Sequence, residues 1–185
     1  MNAKSNAGSL LSRAVEQTAA LLDEVSPDDH DKPSTCSDWT VGELVRHVVA
    51  SPQNFVDMFS GKEVDWANPP EPGDDPAATF RTHAEVLMEK VEADESGGSS
   101  SAALPEFAVH SWDLSRSIGS STRLDDEVAE QALAFMSDNL TPENRSGAFG
   151  PEVEAPEGAS IQDRLAAFAG RSLPTSWTAA DLRRS

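Results

Sequence analysis

Apolar residues recur at helical spacing through most of the chain, and no stretch shows the alternating β-branched pattern of a strand. Residues 1 to 8 read as a loose start. From Ser9 a first helix is expected, carrying Leu11, Val15, Leu22 and Val25 near the 3.6-residue period and ending at Ser26-Pro27. A polar connector runs from Asp31 to Asp38. Thr40-Val41-Gly42-Glu43 then has the form of a capping box, in which Glu43 reaches back to the Thr40 amide. The helix it opens buries Val41, Leu44, Val48 and Phe55, with a kink or a new start expected at Pro52 and an end at Gly61.

Residues 62 to 75, with Pro69, Pro70, Pro72 and Gly73, read as a loop. Asp75-Pro76 is an N-cap followed by proline at the first helical position, and Phe80, Ala84, Leu87 and Val91 mark the third helix. The Ser- and Gly-rich residues 94 to 101 have the composition of a flexible linker. A fourth helix is expected from Pro105, at its first position, to Gly119, with Val109, Leu114 and Ile118 facing the core beside Trp112. Leu124 to Leu140 gives a fifth through Val128, Ala132 and Phe135. Residues 141 to 159 are rich in proline, glycine and acid and read as irregular. A short last helix starts at Ser160 and stops at Gly170. The fold class is therefore all-α, a bundle in one domain over 1–185, with the Val41, Phe80, Val109 and Val128 segments as its main members.

Composition narrows the partners. The net charge is −18, from 32 acidic and 14 basic residues. Such a surface repels a phosphate backbone and an anionic membrane, so neither nucleic acid nor membrane is expected. A small-molecule substrate is expected instead, neutral or weakly charged, acted on by a monomer or homodimer. Cys36 is the single cysteine, which excludes an internal disulfide. The N-terminus lacks the apolar run of a signal peptide, and no stretch is long enough to span a bilayer, so a cytoplasmic location is expected.

Chemistry concentrates in Pro105 to Gly119. Glu106 and His110 are four residues apart, on one face of a helix and one turn from each other. His47 borders the Leu44/Val48 stripe and can point into the bundle. On spacing alone, His47 reads first as a core-edge histidine bonded to a backbone carbonyl, and Glu106 with His110 first as a surface pair. Together they form a coherent donor set, because two imidazoles and a carboxylate suit Zn²⁺ and leave a fourth position open. Other divalent first-row metals accept the same ligands. Asp113 reads either as an orienting partner for an imidazole or as a helix-surface acid. Cys36 is expected to be a small buried hydrophobe rather than a reactive thiol. His83, beside the Phe80 stripe, is the substitute ligand, and His30 reads as solvated. Trp39 and Trp112 read as core aromatics whose indole N–H groups need partners, and Arg46 and Arg116 as surface charge.

The segments Cys36-Ser37-Asp38-Trp39-Thr40-Val41, His47, Glu106 through Leu114, and Phe149-Gly150-Pro151 resemble the mycothiol-dependent maleylpyruvate isomerase N-terminal domain family, within the DinB-like four-helix bundles. The resemblance implies His47, Glu106 and His110 as ligands of a divalent metal, and mycothiol or another low-molecular-weight thiol as cosubstrate. It further implies a thiol-dependent transferase or isomerase acting on a small electrophile. Metal-assisted hydrolysis and a non-catalytic metal- or ligand-binding bundle are the alternatives. Isomerase members of the family carry a further C-terminal domain, which the sequence to Ser185 does not show, so maleylpyruvate isomerisation itself is not the expected activity.

Overall fold

The computed structural model describes residues 3–36, 39–145 and 149–173. The helices are α1 (Ala3–Glu24), α2 (Val41–Phe59), α3 (Pro76–Glu92), α4 (Gly98–Ile118), α5 (Asp126–Asn139) and α6 (Ile161–Phe168), with a 3-10 turn at Pro27–Asp29. No strand occurs among the described residues, only an isolated bridge between Pro33 and Thr40. The all-α bundle expected from periodicity is what the chain forms, in keeping with the DinB-like class that the resemblance implies.

Four helices close a ring: α1 lies against α4, α4 against α2, α2 against α3, and α3 against α1. The fourth member is thus α1, not the Val128 segment. α1 buries Leu10, Leu11, Ala14, Ala19, Leu21 and Leu22, whereas α5 buries only Val128, Ala129, Ala132 and Met136. A helix with the narrower apolar stripe covers the outside of a bundle more readily than it completes its core. α5 accordingly packs on α4 and carries α6 on its own flank.

α4 is the central element. Phe107, Ala108, Val109, Trp112 and Leu114 are almost fully buried, and so are the polar residues Ser111 and Asp113 on the same turns. A helix buried nearly all round must satisfy its polar side chains internally. Ser111 does so at 2.9 Å from Thr18 Oγ1, which also donates to the Ala14 carbonyl at 2.8 Å.

Local signals account for most helix starts. The Glu43 amide donates to Thr40 Oγ1 at 3.2 Å and the Thr40 amide to Glu43 Oε2 at 2.7 Å, the capping box expected there. Asp75 Oδ1 accepts the Ala78 amide at 2.9 Å ahead of Pro76. Four local expectations are corrected. α1 begins at Ala3, not Ser9, since nothing before Leu10 except Gly8 opposes a helix. α2 runs through Pro52 to Phe59, so of the two expectations there the new start is the one overturned; the missing hydrogen bond is confined to a single turn of a well-packed element. α4 begins at Gly98, so Pro105 lies inside it and Gly98 to Ser101 are helical rather than linker. The cause is a polar cap: Asp94 accepts the Ser96 and Ser99 amides at 2.9 and 2.8 Å, and Ser96 Oγ accepts the Gly98 amide at 3.0 Å. Residues 37 and 38 of the expected connector, and 146–148 of the expected irregular stretch, lie outside the described residues.

Candidate metal centre

The extended start of α4 places Glu106 well inside a rigid helix, and α2 faces it. His47 and Ser51 project from α2 one turn apart, and Glu106 and His110 from α4 one turn apart. The four side chains meet on one oxygen. Glu106 Oε1 lies 2.8 Å from His47 Nε2 and 3.5 Å from His110 Nε2, and it accepts the Ser51 hydroxyl at 2.6 Å. One donor atom from each of His47, Glu106 and His110 falls within 4.8 Å of the others. The side chains keep 10, 15 and 9% of their surface accessible, so the cluster touches solvent without being open to it.

His110 is held from behind. Its Nδ1 lies 2.9 Å from Asp113 Oδ2, and Asp113 is fully buried. Asp113 also accepts Thr35 Oγ1 at 2.7 Å and two guanidinium nitrogens of Arg171 at 3.2 and 2.8 Å. A carboxylate so engaged is acceptor-only, which assigns the proton to His110 Nδ1. In the neutral ring Nε2 then presents its lone pair to Glu106. Two negative or lone-pair groups facing each other at 3.5 Å call for a proton or a cation between them. His47 Nδ1, on the far side of its ring from Glu106, is buried with no hydrogen-bond partner among the described residues. The donor set therefore fits a divalent ion.

The electrostatics agree with a cation-seeking cluster. Burial pushes the Glu106 carboxyl up, but the charges of His110 and His47 and the bonds from His47 and Ser51 outweigh it and hold the group well below the carboxylate range. Burial likewise opposes ionisation of Asp113, yet the bond to His110 and the Arg171 charge bring it down to about 2. For His47, desolvation acts downward and the Glu106 charge and hydrogen bond act upward, with a net rise. Burial pushes the Cys36 thiol up to about 11, assisted by the Asp113 charge.

The other sequence candidates separate cleanly. His83 Nδ1 lies 2.9 Å from the Val49 carbonyl, a backbone-bonded histidine on α3 away from the cluster. His30 is exposed. Cys36 is only half-buried, 3.4 Å from an Arg171 nitrogen, and its sulfur groups with His110 and Asp113. Asp113 is the orienting partner and not a surface acid. Trp112 Nε1 donates to Asp163 Oδ1 at 2.9 Å, the partner its burial requires. Trp39 instead sits against the cluster, its ring centroid 4.9 Å from that of His47, with Trp66 at 5.9 Å. Arg46 pairs with Glu71 and Arg116 with Asp163. A cleft of about 330 Å³ beside Arg116, Thr122 and Arg123 shares no residue with the centre.

Ser51, Thr35, Trp66 and Arg171 are site residues that sequence reasoning missed. Ser51 had a signal, its position four after His47. The other three arrive through chain folding alone.

The family model of the mycothiol maleylpyruvate isomerase N-terminal domain matches residues 11–115, more than half of the chain. The chain belongs to this family. The match runs from α1 to the last turns of α4 and so contains His47, Glu106, His110 and Asp113. An uncharacterized protein of Mycobacterium tuberculosis, present in two strains, is 31% identical over 181 residues, covering 87% of this chain and 95% of its own length. No solved structure matches. Membership in the mycothiol maleylpyruvate isomerase N-terminal domain family ties the chain to mycothiol and to metal binding, without specifying a reaction. Among the described residues no helix is long and apolar enough to cross a membrane.

Proposed function

We propose that this family member is a metal- and thiol-dependent transferase or isomerase acting on a small electrophile, with His47, Glu106 and His110 holding one divalent ion. The observation that carries the reading is the convergence of His47 Nε2 and His110 Nε2 on Glu106 Oε1, with the opposite nitrogen of His110 committed to Asp113. Zn²⁺ suits two imidazoles and a carboxylate, and three protein ligands leave a position free. An ion held by these three side chains would lower the pKa of a thiol in that free position, mycothiol being the one the family suggests, and so would supply a nucleophile near neutral pH.

The chain's own residues prepare that chemistry. Ser51 fixes the rotamer of Glu106, and Asp113 fixes the tautomer and plane of His110. Trp39 and Trp66 flank the His47 ring and offer apolar walls to an electrophile while limiting water. With a net charge of −18, approach of a strongly anionic substrate is opposed, so the electrophile is neutral or weakly charged.

The test is consumption of a small electrophile, such as a haloaromatic or an unsaturated carbonyl compound, with and without mycothiol. Turnover that needs both thiol and metal supports the reading. Turnover without any thiol identifies a hydrolase. Stoichiometric metal with no turnover under either condition identifies a binding protein.

A further inference from the structure

Arg171 lies beyond the residues that the family model matches, yet its guanidinium is buried against the centre, 8% exposed. We propose that Arg171 is a positioning residue for the metal centre, locking Asp113 so that His110 keeps Nε2 aimed at Glu106. The inference rests on the metal reading above.

The chain path to Arg171 is built in detail. At the end of α6 the Gly170 amide donates to the Ala167 carbonyl and the Arg171 amide to the Ala166 carbonyl, each at 2.9 Å. This pair of bonds with Gly170 at φ +86° is a Schellman stop. Gly150 lies directly against Gly170, and Arg145 ties the two strands of chain together by donating to the Gly150 and Phe168 carbonyls at 3.2 and 2.6 Å. The turn delivers the Arg171 side chain inward with its donors used. NH1 bonds the Ala169 carbonyl at 3.0 Å, Nε and NH2 grip the two oxygens of Asp113, and NH2 also reaches Cys36 Sγ.

A two-point guanidinium–carboxylate grip fixes the plane of the carboxylate as well as its place. Asp113 Oδ2 is shared by Arg171 and His110, and Oδ1 by Arg171 and Thr35. Without Arg171, Asp113 keeps single-point bonds to Thr35 and His110 and can rotate, and the imidazole turns with it. Groups behind a metal ligand that orient it are worth about 10–100-fold in affinity. A buried ion pair serving stability alone would not change the ligand field.

Co²⁺ is the probe, because its visible absorption reports ligand geometry and its titration gives affinity. The full chain is stripped by chelation and compared with Arg171→Met, Arg171→Lys and the double variant Asp113→Asn/Arg171→Met. The double variant removes both buried charges and guards against misfolding of the single one. The expected result is about tenfold or greater loss of Co²⁺ affinity and a shifted absorption band in Arg171→Met and in the double variant. Partial recovery of both is expected in Arg171→Lys. A folded Arg171→Met or double variant with the wild-type affinity and an unshifted band overturns the inference while leaving the metal reading intact. A wild-type chain that binds no Co²⁺ overturns the metal reading itself.

Discussion

His47 Nε2 meets Glu106 Oε1 at 2.8 Å, joining α2 to α4 across their interface. The same oxygen accepts the hydroxyl of fully buried Ser51. Ser51→Ala removes that bond without adding volume. The carboxylate then loses the contact that sets its rotamer, and metal affinity is expected to fall about tenfold. The fold should lose about 1–3 kcal/mol, because the hydroxyl lies within bonding distance of both the Glu106 carboxylate and the His47 carbonyl, while α2 stays intact. Competition titration with a chromogenic chelator, beside urea denaturation, checks both numbers.

The metal-free protein should be most stable in a mildly acidic window. Glu106 and Asp113 titrate below their ordinary range in the folded chain. Their contribution is present above about pH 4 and is lost as pH falls through the depressed values. His47 titrates above its ordinary value, so its contribution is complete below about pH 6.5 and is lost as pH rises through the raised value. Metal binding runs the other way, since His47 must be deprotonated to ligate. Added Zn²⁺ should therefore raise the unfolding temperature more at pH 8 than at pH 6. A metal-free unfolding temperature that keeps climbing above pH 7 contradicts this.

Gly170→Ala should be strongly destabilising. Gly170 has φ +86°, and a Cβ there would lie 2.7 Å from Gly150 Cα, a backbone atom that cannot move aside cheaply. Strain of this kind costs about 1–3 kcal/mol, with the clash in addition. Gly119→Ala, also at positive φ but with nothing within 4 Å of its Cβ, should cost less. Denaturation midpoints of the two variants give the comparison.

Asp163→Asn should loosen the outer helices. Asp163 is buried, its amide donates to the capping Ser160 Oγ at the start of α6, and its carboxylate accepts the Trp112 indole at 2.9 Å and Arg116 at 3.1 Å. Loss of the charge weakens two of these contacts and should cost about 1–3 kcal/mol. The Trp112 fluorescence should shift to the red. An unchanged spectrum with unchanged stability would count against the contact.

Helical periodicity and caps carried most of the fold, because each is a local pattern: Thr40 with Glu43, Asp75 with Pro76, and Gly119 as a stop. The start of α4 was illegible for a physical reason. Asp94, Ser96 and Ser99 have the composition of a linker, and only their mutual hydrogen bonds turn that composition into a cap. α1 and α5 have similar periodicity, and only the breadth of buried surface decides which enters the ring. In the centre, the four-residue spacing of Glu106 and His110 was readable, His47 was a candidate from its place beside the Leu44/Val48 stripe that the family resemblance strengthened, and the three meet at Glu106 Oε1. Arg171 was not readable, since it reaches Asp113 across 58 positions and no periodic signal extends that far.

One divalent ion held by His47, Glu106 and His110 is the core of the proposed function. Its most direct test is elemental analysis of the purified chain beside the His110→Ala variant, with circular dichroism to show that both are folded. Close to one equivalent of a divalent first-row metal is expected in the wild type and nearly none in the variant, because two remaining ligands retain little affinity. A folded wild-type chain without metal, or a variant that keeps its full equivalent, would contradict it.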